Sequence, residues 1–374
     1  MTAALHPDRS PEAPVRPAAR SGAATLRVLR LGPVSVRLNI RVVVVACLLA
    51  GAMMAAMALH VAFGGTPLAY PDVLRALLGD ASSARIHLAV TEFRAPRMVA
   101  AVVVGASLAA AGAITQTVAR NPLASPDLLG VAAGASLGAV AVLVIAGGGH
   151  AGLSGLAATV GMPAAAFTAG IVSGVAVYLL AYRRGLDSYR LVLAGLGISG
   201  LAASLTTWIL TLGDVTNAAQ ALTWMTGSLN GKDWATVQPM AASAVVLLAA
   251  AVFSGRWLLL TSLGDDTAVG LGARIGAVRL FALTVAVLLA SVATVVAGPV
   301  AFVALASPQI ARSLTATVVP PVGVSALVGA VFVLLADTVS ANALSAPLPV
   351  GVATAVVGAP FLIHLILKYQ RRLS

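Results

Sequence analysis

The sequence predicts an all-α polytopic membrane protein with about ten transmembrane helices. Three observations carry that reading. First, of 374 residues 59% are hydrophobic and 9% charged, whereas a soluble domain carries about 25% charged residues. With a mean hydropathy of +0.99, the chain has too little polar surface to cover a water-soluble globule. Second, apolar runs approach the length needed to cross a bilayer core, about 20 helical residues, and they recur along the chain. Third, lysine and arginine are unequally shared between alternate connections, as they are when one set of loops faces the cytoplasm.

The apolar runs fall near 42–63, 97–117, 127–146, 154–181, 190–212, 236–255, 277–297, 300–314, 322–341 and 349–368. The eighth is short and holds Pro308, which predicts a broken or half helix. Such a break is tolerated only where protein or a cavity covers the freed backbone. Ten crossings put both termini on one side. With that side cytoplasmic, the inner parts hold eighteen of the 23 basic residues. The outer parts hold the other five: Arg75, Arg85, Arg94, Arg97 and Lys232. The bias predicts cytoplasmic N- and C-termini. Residues 1–41 are rich in Pro, Ala and Arg, without apolar periodicity, and read as a disordered basic cytoplasmic tail. Residues 42–368 read as the transmembrane domain and 369–374 as a short cytoplasmic tail. Gly105, Gly112, Gly130, Gly134 and Gly138 are expected where helix backbones approach closely, although a general alanine and glycine bias would also supply them.

Several function classes are disfavoured. A net charge of +11 suggests nucleic acid in a soluble protein, but here topology accounts for the basic excess. Aromatic residues are only 5%, too few for base-stacking platforms. The single cysteine, Cys47, cannot form an intrachain disulfide or a thiolate cluster. Of the twelve acidic residues only Asp337 sits well inside an apolar run, where a lone carboxylate costs about 2.5–3.5 kcal/mol on insertion scales. It reads either as an ion-coupling site or as a carboxylate bonded to a neighbouring helix or placed near the outer surface. An intramembrane aspartyl protease would need a second aspartate. His60, His87, His150 and His364 have no metal-ligand spacing. The nearest match to a phosphate-binding loop, Gly227 to Gly231-Lys232-Asp233, has one residue too few and no Ser or Thr after the lysine. No catalytic residue, metal or cofactor is therefore expected on this chain.

The motifs narrow the reading. Arg94-Ala95-Pro96-Arg97 is followed by Gly105, Leu108, Gly112 and Gln116, then by the run Arg120-Asn121-Pro122-Leu123-Ala124-Ser125-Pro126-Asp127-Leu128-Leu129-Gly130. Asn121-Pro122 breaks one helix and Pro126 pre-shapes the next. Further on come Ser188-Tyr189-Arg190, Trp224-Met225-Thr226-Gly227-Ser228-Leu229, and a polar run from Ser262-Leu263-Gly264-Asp265-Asp266 to Leu271-Gly272. That run reads as a surface helix, with Asp265 or Asp266 able to cap it and favour its dipole. Gly298 to Val303, Pro308-Gln309-Ile310-Ala311-Arg312, Ala336-Asp337, Leu348-Pro349-Val350-Gly351 and Gly358-Ala359-Pro360-Phe361 complete the set.

In this order and spacing the chain from about 65 to 370 resembles the FecCD-type permeases of bacterial ABC importers for iron–siderophores, haem and cobalamin. It is most like the iron–siderophore permeases. The resemblance implies a type II ABC importer permease fold in the bacterial inner membrane. It also implies the partners: a second permease of the same type, two ATPase subunits that hold ATP and magnesium, and an external substrate-binding protein. The cargo would be an iron–siderophore chelate, with cobalamin and haem as alternatives. It implies a cytoplasmic gate at Asn121, Leu123, Ser188 and Tyr189, although 120–130 also reads as a plain helical hairpin. It implies ATPase coupling through Leu263, Gly264, Asp265, Asp266, Leu271 and Gly272. It implies binding-protein docking at Arg94 and Arg97, because a guanidinium fork suits a carboxylate; anchoring to headgroups is the competing reading.

The sequence departs from the pattern in three places. Gln309 replaces the usual histidine, Ala341 an arginine often found four residues after the aspartate, and Pro347 a glutamate. Lost charge at the outer rim suits one member of a heterodimer, with a homodimer left open. The rival class, an ion-coupled secondary transporter, needs intramembrane carboxylates and has only Asp337.

Overall fold

The computed structural model describes residues 26–31, 34–63, 68–77, 84–146, 160–182, 188–262, 264–342 and 348–373. Within the stretch expected as a tail, β1 (Leu26–Leu31) pairs antiparallel with β2 (Val34–Asn39), with Leu26 opposite Asn39 and Leu31 opposite Val34. The tail is therefore not uniformly unstructured. The next element, α1 (Ile40–Ala62), begins within it.

The helical part follows the predicted runs. Short helices α2 (Tyr70–Leu77) and α3 (Ala84–Leu88) lead through a π turn, Ala89–Arg94, into α4 (Ala95–Ala119). A 3-10 turn at Pro126–Leu129 precedes α5 (Val131–Ala146), so Asp127 lies in a turn before the membrane helix. Then come α6 (Met162–Ala181), α7 (Ser188–Leu212), α8 (Val215–Met225) and α9 (Trp234–Thr261). The short α10 (Asp265–Gly270) leads to α11 (Ile275–Ala297), α12 (Val303–Thr315), α13 (Val322–Asn342) and α14 (Val350–Leu373). Seven helical stretches among the described residues are long and apolar enough to span a membrane, and two apolar helices are shorter. With α12 as the predicted half helix, the ten expected segments all have a counterpart. The connection between α7 and α9 contains α8, and α14 runs on as helix through residues 369–373.

The core is set by α4, α11 and α13. In α4, every residue from Ala109 to Ala119 is buried. A helix apolar on all sides packs through shape, and here small residues supply it. A Cβ on Gly105 would lie 2.2 Å from the Gly329 carbonyl oxygen, and one on Gly329 would meet the Gly105 oxygen at the same distance. Only glycine on both helices permits that crossing of α4 and α13. Gly112 likewise abuts the Ala304 carbonyl of α12, and Gly134 and Gly138 of α5 abut Ser173 and the Ala165 carbonyl of α6. The sequence-based expectation for these glycines holds.

Three motifs read separately in the sequence meet in one junction. The Gly227 position faces the Pro299 carbonyl, Gly298 faces the Trp224 carbonyl, and Gly351 faces the Thr226 carbonyl. The Ser228 N–H donates to the Ala297 oxygen (2.7 Å) and the Gly351 N–H to the Gly227 oxygen (3.1 Å).

Candidate functional site

Two polar clusters stand at opposite ends of α4. Arg97 and Arg120 are separated by about 35 Å along the helix at 1.5 Å per residue. The first cluster gathers on Asp337 of α13, which is 1% exposed. Arg97 holds it with two bonds, Nε to Oδ2 at 2.7 Å and Nη2 to Oδ1 at 2.9 Å. His60, near the end of α1, adds its Nε2 to Oδ2 at 2.8 Å. One carboxylate thus joins α1, α4 and α13. Of the two sequence readings of Asp337, the structure gives the carboxylate bonded to neighbouring helices. Arg94 is buried and donates Nη1 to the carbonyl oxygens of Val61 (2.8 Å) and Ala62 (3.2 Å). It satisfies carbonyls that the end of α1 leaves without helical partners. Both arginines expected to face outward therefore have bonds inside the chain, and Arg97 keeps about a quarter of its surface exposed (24%).

At the other end α4 stops where the sequence predicts. Arg120 is left-handed (φ 49°, ψ 31°), and its N–H turns back to the Gln116 and Thr117 carbonyls. The Asn121 side-chain oxygen accepts the Leu123 N–H at 2.9 Å, and the Ala124 N–H returns to the Asn121 carbonyl at 3.1 Å. That is an Asx turn, the local reason asparagine sits there. Pro126 then opens the 3-10 turn, closed by left-handed Gly130. Leu123 is exposed, as is Asn121.

Three other elements converge on this turn. From α7, Gly195 lies against the Leu128 carbonyl, where a Cβ would be 1.6 Å from the oxygen. This brings the start of α7, with exposed Tyr189, beside the 120–130 turn. The backbone of Ser188 is the first residue of α7. From α12, Gln309 donates Nε2 to the Gln116 side-chain oxygen at 2.5 Å and to the Pro122 carbonyl at 3.4 Å. Gln116 in turn donates to the Leu305 carbonyl at 3.1 Å. The amide that replaces the usual histidine thus holds the half helix to the turn without a titrating group. A cavity of about 220 Å³ opens here, lined by Gln116, Arg120, Asn121, Gln309 and Arg312. A second, about 510 Å³, lies between α12 and α14 beside Arg312, Thr317 and His364.

The third element is α10. Gly264 (φ +104°) starts it and Gly272 (φ +82°) follows it. Gly264, not an aspartate, occupies the capping position, which corrects the capping expectation for Asp265 and Asp266. Asp265 instead turns its carboxylate to Arg279 of α11 (Nη2 to Oδ1 2.8 Å, Nη1 to Oδ2 3.2 Å) and to the Nη2 of Arg120. Partial burial pushes the Asp265 carboxyl up, but Arg279 and then Arg120 outweigh it and hold it below the usual carboxylate value. Asp266, Val269 and Leu271 are exposed, and Ala268 is buried against the chain. Leu263, the remaining coupling candidate, lies outside the described residues. Among the described residues no group of three His, Cys, Asp or Glu side chains is placed to hold a metal ion.

The sequence pointed to the residues at both ends but not to their partners. Arg279 and His60 were missed as members of these clusters. An intramembrane acid that needs a basic partner, Asp337, was the one signal that could have pointed to His60.

Helices of membrane-spanning length, glycine-packed crossings and a half helix bracketed by polar recesses define a polytopic membrane permease. Residues 37–368 match the FecCD transport family, and the chain belongs to it. It is 39% identical over 311 residues to the ferric enterobactin transport system permease protein FepG of Escherichia coli (strain K12), covering 83% of this chain and 91% of that one. It is 37% identical to the iron(3+)-hydroxamate import system permease protein FhuG of Bacillus subtilis (strain 168), covering 76% and 85%. It is 36% identical to the Fe(3+) dicitrate transport system permease protein FecD of Escherichia coli (strain K12), covering 80% and 92%. In fold it is similar to a solved ABC transporter chain of metal-chelate type in an inward-facing conformation. That match has a TM-score of 0.74 at 22% identity, covering 87% of this chain and 99% of that one.

Proposed function

We propose that this chain is the membrane-spanning subunit of an ATP-driven importer that brings an iron–siderophore chelate into a bacterial cell. The observation that carries the reading is the convergence at one end of α4. The 120–130 turn, the start of α7, the half helix α12 and the surface helix α10 all meet there, in a chain of the FecCD family. The named relatives above carry ferric enterobactin, iron(3+)-hydroxamate and Fe(3+) dicitrate, which supports an iron chelate as cargo.

In this reading the chain sits in the inner membrane with both termini in the cytoplasm, the orientation that the bias of the basic residues favours. A second permease of the same type completes the pathway, and the loss of rim charge suits a heterodimer. Two ATPase subunits bind ATP and magnesium and dock on the stretch from Leu263 and Gly264 to Leu271 and Gly272, with exposed Val269 and Leu271 as contacts and Asp265 bonded to its own chain. Asn121, Leu123, Ser188 and Tyr189 form the inner gate beside the recesses around α12. Arg97, with surface still open to water, is the docking residue for an external binding protein, and Arg94 holds the helix end that supports it. No covalent step occurs on this chain: nucleotide binding on the ATPases biases the gate between two states.

Uptake of radioiron-labelled ferric siderophore into proteoliposomes holding both permeases, the ATPase and the binding protein tests this. Uptake that needs ATP and survives an uncoupler is expected. Uptake that an uncoupler abolishes without ATP dependence would favour the ion-coupled class instead.

A further inference from the structure

The coupling helix and the gate turn are joined by one carboxylate across 145 positions of sequence. We propose that Asp265 is a positioning residue that ties α10 to the gate turn, so that displacement of α10 is passed directly to Asn121 and Leu123. This rests on the reading of α10 as the ATPase-docking element.

Four observations carry it. The Asp265 carboxylate faces its own chain: Arg279 grips both oxygens and Arg120 takes Oδ1. Arg120 also donates Nη2 to the Thr261 carbonyl at 2.8 Å, so its guanidinium spans the end of α9 and the start of α10. The Arg120 backbone is itself the joint that ends α4, in a left-handed conformation uncommon outside glycine. Its next residue is Asn121, whose side chain shapes the turn. A pull on the Arg120 side chain therefore acts on the hinge of the gate with no residue between. Finally, α10 keeps apolar surface free to meet a partner, with Val269 and Leu271 61% and 62% exposed. The short element thus combines two tasks: its exposed apolar side chains meet the ATPase and Asp265 relays to the gate.

The bonds suit a relay that resets every cycle. Asp265 and Arg120 are about half exposed (49% and 45%), and ion pairs in water are weak enough to break and re-form. Arg279 is much less exposed (11%), so its bidentate grip keeps the carboxylate aimed while Arg120 engages or releases.

The test uses the complete importer in proteoliposomes and reads ATP hydrolysis and chelate uptake together. Asp265→Asn keeps the shape and removes the charge. The expected result is normal co-purification of the ATPase, continued hydrolysis, and uptake per ATP lowered about tenfold, within the range typical of coupling between two sites. Asp265→Glu should recover most of the loss, which a purely structural defect would not predict. If Asp265→Asn fails to reach the membrane, Arg120→Gln cuts the same link from the gate side and should uncouple in the same way. Unchanged uptake per ATP in either charge-removing variant overturns the proposal. So does loss of ATPase co-purification in Asp265→Asn, which would make Asp265 a docking contact. Absence of ATP-dependent uptake in the unaltered importer would overturn the functional reading itself.

Discussion

Asp337 and Asp265 each gather two basic side chains, one at either end of α4, and their surroundings make them opposites. Asp337 is 1% exposed and receives Arg97 through a two-bond fork plus His60. Asp265 is 49% exposed, and its partners come from the 120–130 turn and α11. Burying charge is tolerable only when partners are complete, and removing one partner then leaves an uncompensated ion. An exposed pair gains little and costs little to open. The buried cluster is therefore suited to holding three helices in a fixed relation, and the exposed one to changing state. In the proposed coupling, one helix then carries a fixed end and a movable end.

The comparison can be broken most directly at the buried end. Asp337→Asn keeps volume but strands Arg97 and His60, and should cost about 3–5 kcal/mol, seen as a large fall in membrane abundance and in the thermal unfolding midpoint. A variant as stable as the parent would remove the distinction. Gly105→Val tests the scaffold between the ends. Its Cβ would sit 2.2 Å from the Gly329 carbonyl oxygen, where overpacking costs about 1–3 kcal/mol or more. Differential scanning in detergent should show the loss, and restoration of small size by Gly105→Ala should recover part of it.

Smaller effects sharpen the movable end. Gln309→Ala leaves the buried Gln116 oxygen without its donor, a cost of about 1–3 kcal/mol, read as a modest midpoint shift with altered gating. Arg279→Ala removes a largely buried two-bond grip on Asp265 and should cost about 1–3 kcal/mol while lowering uptake per molecule. Acid is expected to do less still. Because the Asp265 carboxyl is held below its ordinary value of 3.8, its contribution is complete above that value and is lost only as pH falls through the lower folded one. Coupling measured as uptake per ATP should thus be the same at about pH 7 and about pH 5 as far as this group is concerned.

What the sequence made legible follows from what is local. Apolar length marks α1, α11 and α13, and Pro308 within a short run marks α12 as a half helix. Asn121-Pro122 and Pro126 act on their own backbone, so the break after α4 is readable in place. The helix α8 was missed because its eleven residues mix Thr, Asn and Gln with Ala and are too short to read as a span. The ion partners were not legible for another reason. Arg97 and Asp337 are 240 positions apart, and Arg120 and Asp265 145. Helices apolar on all sides give no periodicity from which their mutual rotation could be read. Family resemblance supplied the outward role of Arg97 but not the acid it already holds.

The division between a fixed and a movable end is tested most directly by one paired measurement. Asp337→Asn and Asp265→Asn are compared for membrane abundance and for ATP-driven chelate uptake normalised to that abundance. The account predicts that Asp337→Asn loses abundance, and that Asp265→Asn keeps abundance and loses uptake per molecule. Equal loss of abundance in both variants, or normal uptake per molecule in Asp265→Asn, would contradict it.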